Sequence, residues 1–426
     1  MRAVFRHVAF WVLIGAIIGA VTGAGSDELG GSDGWWAEAM TGLKGWFITV
    51  LMLLIAPVVF FSLIAGVLQM RRAAGLSRMG GLTLAYYLTT TGIATCIGLL
   101  AVLVIHPWTA FERGDPMVMT GAEPVAEDRL LDADQAEAGD ILSKIGSQIL
   151  VDPWEAATRP SILALIVYAL LVGVLLSIWC SPEHRVVKGI FLINQWIARV
   201  LTLVIWLAPL GVMAVVFEFT RSTNGVVFGQ LLSFALLVLV ATAIHGVVVL
   251  PLIAWWFGGI RPQELLKKIA TPLLVATSTA SSAATLPVTL KTCREELDVE
   301  PEVSGFVCPM GATMNMDGTA LFEGIAAVFL AHLFGVELTS GGVLAIFIMA
   351  MVSSIGAPGM PSASMAGMQM VLLAAGIPLE AIAILLVIER PLDTFRTAVN
   401  VEGDIVGAVV VNRYYGRHYA NENHAA

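Results

Sequence analysis

Six residues near the C-terminal end, Glu389, Asp393, Arg396, Thr397, Asn400 and Asp404, have the types and spacing to hold a small charged molecule. On a helix turning about 100° per residue, with Asp393 at zero, Glu389 falls near −40°, Arg396 near −60°, Thr397 near +40°, Asn400 near −20° and Asp404 near +20°. All six therefore share one stripe, while Leu392, Phe395, Ala398, Val401 and Ile405 leave the other face mostly apolar. The planar fork of Arg396 suits a carboxylate. Asp393, three residues away, is placed to receive an ammonium. The pair matches the two ends of an acidic amino acid. A plainer alternative is an internal ion-pair ladder, Glu389–Arg396 or Arg390–Asp393. Thr397 and Asn400 argue against it, because they continue the stripe without adding charge.

Other groups stand apart from this stripe. Asn315-Met316-Asp317-Gly318-Thr319 interrupts an apolar run. A break there frees backbone carbonyls, and Asn315 and Asp317 add hard oxygen donors suited to a hard cation; the alternative is a simple kink at Gly318. Tyr87, Thr90 and Thr91 share a helix face at i, i+3 and i+4, a pattern that also serves ordinary helix packing in membranes. Glu323 lies one turn beyond Thr319. As an intramembrane carboxylate it is a proton-carrier candidate, set against a carboxylic acid that only hydrogen-bonds within a bundle. His106, His245 and His332 occur singly in or beside apolar runs and read as packing or interfacial residues. The four cysteines, Cys96, Cys180, Cys293 and Cys308, show no paired spacing, so no disulfide framework or metal site is expected.

These groups need elements to position them, and composition says which. Of 426 residues, 58% are hydrophobic and 13% charged, with a net charge of −9 and a mean hydropathy of +0.85. That departs far from soluble domains and excludes a soluble enzyme, a disordered chain and a nucleic-acid binder. Apolar runs at about 8–24, 46–69, 81–105, 160–180, 189–217 and 229–257 reach the roughly 20 residues a bilayer span needs. Lys and Arg cluster in alternate loops, at Arg71, Arg72 and Arg78, at Arg185 and Lys188, and at Arg261, Lys267 and Lys268. By the positive-inside rule these loops and both termini are expected in the cytoplasm of a cell-membrane protein. The acidic stretch of about 107–158 is then external. Trp35, Trp36, Trp46, Trp108 and Trp154 read as interfacial anchors.

The C-terminal part has another pattern. Runs at about 264–292 and 342–375 are each interrupted by small polar residues, 277–284 and 353–362. Each half, about 10–12 residues, spans roughly half a bilayer. The expectation is two re-entrant helical hairpins, allowed at membrane depth only where protein or a wet cavity surrounds them. Spans at about 304–335 and 379–411 come after them in turn. Interrupted segments at corresponding places in two halves mark a secondary transporter with inverted repeats.

The residues resemble the glutamate transporter family of dicarboxylate/amino acid:cation symporters. The resemblance covers nearly the whole chain and is densest from 260 to 412. It rests on Ser281-Ser282-Ala283-Ala284-Thr285-Leu286-Pro287, on Asn315 to Thr319, on the Gly356-to-Ser364 tip, on Asp393 to Asp404, and on Tyr86 to Thr91. It implies an all-α polytopic membrane protein of eight transmembrane helices plus two re-entrant hairpins, assembled as a homotrimer and working as an elevator. Residues 1–70 and 159–220 would form a scaffold. Residues 79–106 and 228–413 would form the moving transport domain, and 414–426 a cytoplasmic tail.

By match of motif, Arg396 would hold the substrate's side-chain carboxylate, and Asp393 and Thr397 its amino group. Ser282, Thr319 and Asn400 would take the main carboxylate, with Ala280 and Ser281 beside them and Met360 closing over. One sodium site would use Gly311, Asn315, Asn400 and Asp404. A second would use carbonyls of Thr313, Ser354, Ile355 and Ala357. A third would use Tyr87, Thr90, Thr91, Asn315 and Asp317. Relatives that co-transport protons resemble this chain in having Glu at position 323. Two departures stand out. The second arginine usual in carriers of acidic amino acids is replaced by Ala280 and Thr394, with Arg390 the nearest substitute. Serine also stands in the outer tip where archaeal relatives tend to have glycine.

The leading expectation is a sodium-driven symporter of aspartate or glutamate, with proton co-transport left open. A C4-dicarboxylate carrier of the same fold ranks second; it would have no use for Asp393, Thr397 and Asp404. An anion channel fits poorly with two gated hairpins. An intramembrane hydrolase lacks a nucleophile with a positioned base.

Overall fold

The computed structural model describes residues 8–25, 34–74, 77–110, 162–223, 226–356 and 364–423. Among these residues the secondary structure is helical throughout. The first group of helices is α1 (Val8–Ala24), α2 (Trp35–Ala74), α3 (Ser77–Ile105), α4 (Ile162–Trp179), α5 (Arg185–Ile205) and α6 (Ala208–Thr223). Next comes α7 (Val226–Ile244), continued by a π-helical turn (His245–Val249), a short α turn (Leu250–Ile253) and a second π-helical turn (Ala254–Gly258). The remainder is α8 (Pro262–Lys268), α9 (Ala270–Thr279), α10 (Ser282–Glu295), α11 (Pro301–Met314), α12 (Asp317–Leu333), α13 (Ser340–Gly356), α14 (Ser364–Ala374) and α15 (Ile382–Asn423).

Among the described residues, three continuous stretches are long and apolar enough to cross a membrane: Met79–Thr109, Phe228–Gly258 and Pro301–Leu333. The first two carry large apolar residues on their exposed faces, such as Leu100, Val104, Leu232 and Val240, as expected of helices solvated by lipid. The run expected as one span at 189–217 is instead two helices, α5 and α6, with a turn at Trp206 and Leu207. Pro209 explains the break: it has no N–H to donate and disfavours helix just before it. Trp108 is a second correction. It is fully buried rather than interfacial, with its ring 4.9 Å from Phe329 and 6.4 Å from Phe234. Trp154 lies outside the described residues.

Helices α1 and α6 lie backbone against backbone. Gly15, Gly19 and Gly23, four residues apart, form the contact stripe. A Cβ on Gly23 would sit 2.6 Å from Phe217 O, and one on Gly15 or Gly19 would collide with the carbonyls of Pro209 or Met213. Small residues allow such close approach where lipid supplies no hydrophobic drive. Helix α2 packs on α4, α5 and α6, whereas α12 packs on α3 and α15.

Both interrupted segments fold as packed helix pairs. In the first, Ala280 turns the chain in the left-handed region at φ 50°. Ser281 then caps α10 by accepting a hydrogen bond from Ala284 N at 3.2 Å. In the second, α13 packs against α14, and the expected tip residues Ala357 and Met360 lie outside the described residues. The break in the span at about 304–335 falls at Asn315 and Met316. It does not fall at Gly318, which is helical, so the kink expected there as the plainer reading is not observed.

Candidate functional site

The site is where the broken helix meets α15. Gly318 lies against the backbone of Arg396: a Cβ there would be 2.7 Å from Arg396 O. Gly318 N donates to Asn400 Oδ1 at 2.8 Å, and Asn400 Nδ2 reaches Thr319 Oγ1 at 3.4 Å. An Asn on α15 thereby satisfies one of the orphan N–H groups at the start of α12. Hairpin helices α9 and α10 also pack on α15; Ser281 forms hydrogen bonds within the hairpin, with Ala284 N, Thr279 and Thr285.

The stripe read from sequence is buried as a unit. Glu389, Asp393, Arg396, Thr397, Asn400 and Asp404 are all buried. Arg396 Nη2 donates to Glu389 Oε1 at 3.1 Å and to Asp393 Oδ1 at 2.9 Å. Arg390 Nη1 is 3.9 Å from Asp393 Oδ2. The ladder weighed as the plainer reading is therefore present. Yet both bonds of Arg396 use one nitrogen. Its Nε and Nη1 are buried with no hydrogen-bond partner among the described residues. The guanidinium carbon lies 3.9 Å from the Phe322 ring centroid, which favours the cation through the ring face.

The oxygen donors gather in two groups beside this one. Asp317 Oδ1 accepts from Thr91 Oγ1 at 2.7 Å and from Thr90 Oγ1 at 3.4 Å, and Thr90 also lies 3.4 Å from Asn315 Oδ1. Asn315 Nδ2 donates to Asp404 Oδ1 at 3.0 Å. A Cβ on Gly311 would meet both Asp404 Oδ1 and the Tyr87 hydroxyl, so the absence of a side chain there leaves room for both. Tyr87 itself donates to Val307 O at 2.7 Å. Thr313 and Ser354 bond back to their own helices, at Met310 O and Met351 O. Ile355 is in place at the end of α13, and Ala357 lies outside the described residues. The donor set is all hard oxygen, which fits sodium better than a softer metal.

Glu323 is fully buried and accepts from Ser353 Oγ at 2.9 Å, while its Oε2 has no partner among the described residues. Four participants escape sequence reasoning. Phe322 lies under Arg396, Ser353 holds Glu323, and Ser364 donates to Glu389 Oε1 at 3.4 Å. His245 bonds Asp317, with Nε2 to Oδ2 at 3.0 Å, contrary to its reading as a packing residue. The two serines flank the second hairpin's tip and share its small polar composition; Phe322 and His245 carry no local signal. Cys293 and Cys308, unpaired in sequence spacing, have their Sγ atoms 3.6 Å apart.

Broken helices, paired helical hairpins and a buried charged stripe define a polytopic membrane transporter, not an enzyme. The chain belongs to the sodium:dicarboxylate symporter family, whose model matches residues 8–414. It is 32% identical to an excitatory amino acid transporter of Caenorhabditis elegans, over 86% of this chain and 79% of that one. It is 30% identical to neutral amino acid transporter B(0) of Homo sapiens, over 95% of this chain and 80% of that one. It is also 30% identical to excitatory amino acid transporter 1 of Ambystoma tigrinum, over 87% and 76% respectively. The protein is thus a sodium-coupled symporter of dicarboxylates or amino acids in a multi-pass membrane fold, and its relatives include carriers named for excitatory and for neutral amino acids.

Proposed function

We propose that this protein carries aspartate or glutamate into the cell together with sodium, with a proton moving through Glu323. The reading rests above all on Arg396. A structural ladder would use the guanidinium fork, but both ion pairs run through Nη2, and Nε and Nη1 stay buried without partners among the described residues. A buried donor left unpaired costs about 1–3 kcal/mol, more when charged. A carboxylate reaching either nitrogen relieves the cost through a charge-assisted hydrogen bond. Formal charge supports the same choice: Arg390 and Arg396 balance Glu389 and Asp393, so an amino acid with a second carboxylate meets no net opposing charge.

In this reading Asp393 and Thr397 hold the ammonium. Ser282, Thr319 and Asn400 hold the main carboxylate, with Ala280 and Ser281 beside them and Met360 above. Sodium binds at three places: Gly311, Asn315, Asn400 and Asp404; the carbonyls of Thr313, Ser354, Ile355 and Ala357; and Tyr87, Thr90, Thr91, Asn315 and Asp317. Residues 79–106 and 228–413 slide past a scaffold of 1–70 and 159–220, as one unit of a homotrimer with cytoplasmic termini. A C4-dicarboxylate carrier is the second reading, and the Asp393–Arg396 contact disfavours it because a dicarboxylate brings no ammonium to replace the arginine there.

The test is uptake of labelled aspartate, glutamate and succinate into proteoliposomes under separate sodium and proton gradients. Aspartate or glutamate uptake that rises steeply with sodium is expected. Because linkage is reciprocal, aspartate must tighten sodium binding by the same factor. Succinate taken up in preference to both amino acids would overturn the substrate assignment, and binding indifferent to sodium would overturn the cation sites.

A further inference from the structure

His245 opens the first π-helical turn of the long helix that begins with α7. Its side chain is fully buried, and so is that of Asp317, its partner 72 residues along the chain. A carboxylate only accepts, so the 3.0 Å contact is a donation from Nε2–H to Asp317 Oδ2. The other oxygen of the same carboxylate, Oδ1, faces Thr90 and Thr91. The two oxygens are therefore divided between two jobs. One is tied to the imidazole; the other is presented to the hydroxyl cluster with Asn315.

The backbone at this point is arranged to permit it. A π turn inserts an extra residue and re-phases the helix face, and such turns concentrate at functional sites. The next residue, Gly246, brings this helix against α15: a Cβ there would lie 2.9 Å from Val399 Cγ2 and 3.2 Å from Glu402 Oε2. A regular helix with a bulkier residue at 246 would not seat the imidazole on Asp317. Outer hydrogen bonds of this kind fix a ligating carboxylate's orientation, and their loss typically lowers metal affinity about 10–100-fold.

We infer that His245 is a positioning residue for sodium: its Nε2–H fixes Asp317 so that Oδ1 stays aimed at the Thr90, Thr91 and Asn315 oxygens. This rests on the sodium site proposed above for those residues. Without the donor, the buried carboxylate is free to turn either oxygen away from the cluster.

The experiment is a sodium titration of thermal stability on the full-length purified protein, with choline chloride holding ionic strength constant. It reads cation binding without transport. His245→Leu removes the donor at similar volume; His245→Gln supplies an N–H from a different frame. The leucine variant is expected to need about 10–100 times more sodium for half-maximal stabilisation. The glutamine variant should recover most of that loss. At saturating sodium, aspartate affinity of all forms should agree within about threefold, because linkage acts through the cation. A packing residue would instead lower stability equally at every sodium concentration.

A leucine variant that titrates like wild type, or a glutamine variant as weak as leucine, overturns the inference. Should His245→Leu not fold, His245→Asn replaces it. One methylene shorter than glutamine, it should titrate at higher sodium than the glutamine variant, and equal titrations overturn the inference. Wild-type protein that sodium does not stabilise overturns the underlying cation-site reading, a different outcome from either of these.

Discussion

Arg396 is buried over the ring of Phe322 and tied through one nitrogen to two carboxylates. Removing it deprives Glu389 and Asp393 of the cation they share, and breaking a buried pair costs about 3–5 kcal/mol. Arg396→Ala is therefore expected to abolish aspartate uptake and to admit small neutral amino acids such as serine. Radiolabelled uptake of both checks it, and aspartate affinity within about tenfold of wild type, ~1.4 kcal/mol, would remove Arg396 as the anchor. Asp393→Asn keeps the shape and loses the charge, so aspartate should suffer far more than succinate. Equal loss of both, in folded protein, would favour the dicarboxylate reading. Glu323 has one oxygen on Ser353 and one without a partner among the described residues. With sodium held fixed, outside acid is expected to accelerate wild-type uptake and leave Glu323→Gln unchanged, while sodium-driven exchange survives in the variant; wild-type uptake blind to the pH gradient would make Glu323 purely structural. The stripe itself was legible by stepping 100° per residue along one helix. The His245–Asp317 bond was not, because it depends on where separate helices meet; nor was the single-nitrogen pairing of Arg396, which is set by side-chain rotamers within α15.

Elements were legible wherever one segment decides its own fate. Apolar length marked α1, α3, α4 and α7, and interrupted polarity marked both helix pairs. The turn at Trp206 and Leu207 had a local cause in Pro209, which an apolar-run reading passed over. The break at Asn315 and Met316 was misplaced by one reading to Gly318, since glycine is the commoner helix breaker. The reason for glycine at 318 is instead an intersegment one: Arg396 O would lie 2.7 Å and Arg396 Cα 2.9 Å from its Cβ. Gly318→Ala should therefore push α12 off α15, costing about 1–3 kcal/mol of overpacking and weakening aspartate binding with it. Gly81→Ala on α3, where an added Cβ meets nothing within 4 Å, should not destabilise and should gain up to about 1 kcal/mol of helix propensity. Paired thermal unfolding and aspartate titration check both, and a Gly318→Ala protein with wild-type values would show that the contact has slack.

The molecule as a whole divides its residues by solvent. Chemistry-bearing side chains gather where α3, the long helix begun by α7, α12, α13 and α15 converge, and a second set of large apolar ones, Leu100, Val104, Leu232 and Val240 among them, faces outward. Composition alone revealed that the outer solvent is lipid; the buried polar centre became readable only once the helices were assembled. Helix α12 bears the consequence of that division. All its residues except His332 are buried, Asp317 and Glu323 among them. The stretch containing it has a mean hydropathy of 1.3, against 2.2 and 2.6 for the other two long apolar stretches. During synthesis, Asp317 meets Thr91 and His245 early, since α3 and α7 emerge before it. Asn400 and Arg396, which close its other side, emerge only with α15. For that interval a helix carrying two buried carboxylates lacks its α15 neighbour, and α15 completes the wall around a segment made some eighty residues earlier. Ribosome-bound chains arrested before α15 should accordingly be cleared by membrane quality control, and chains arrested after it should persist.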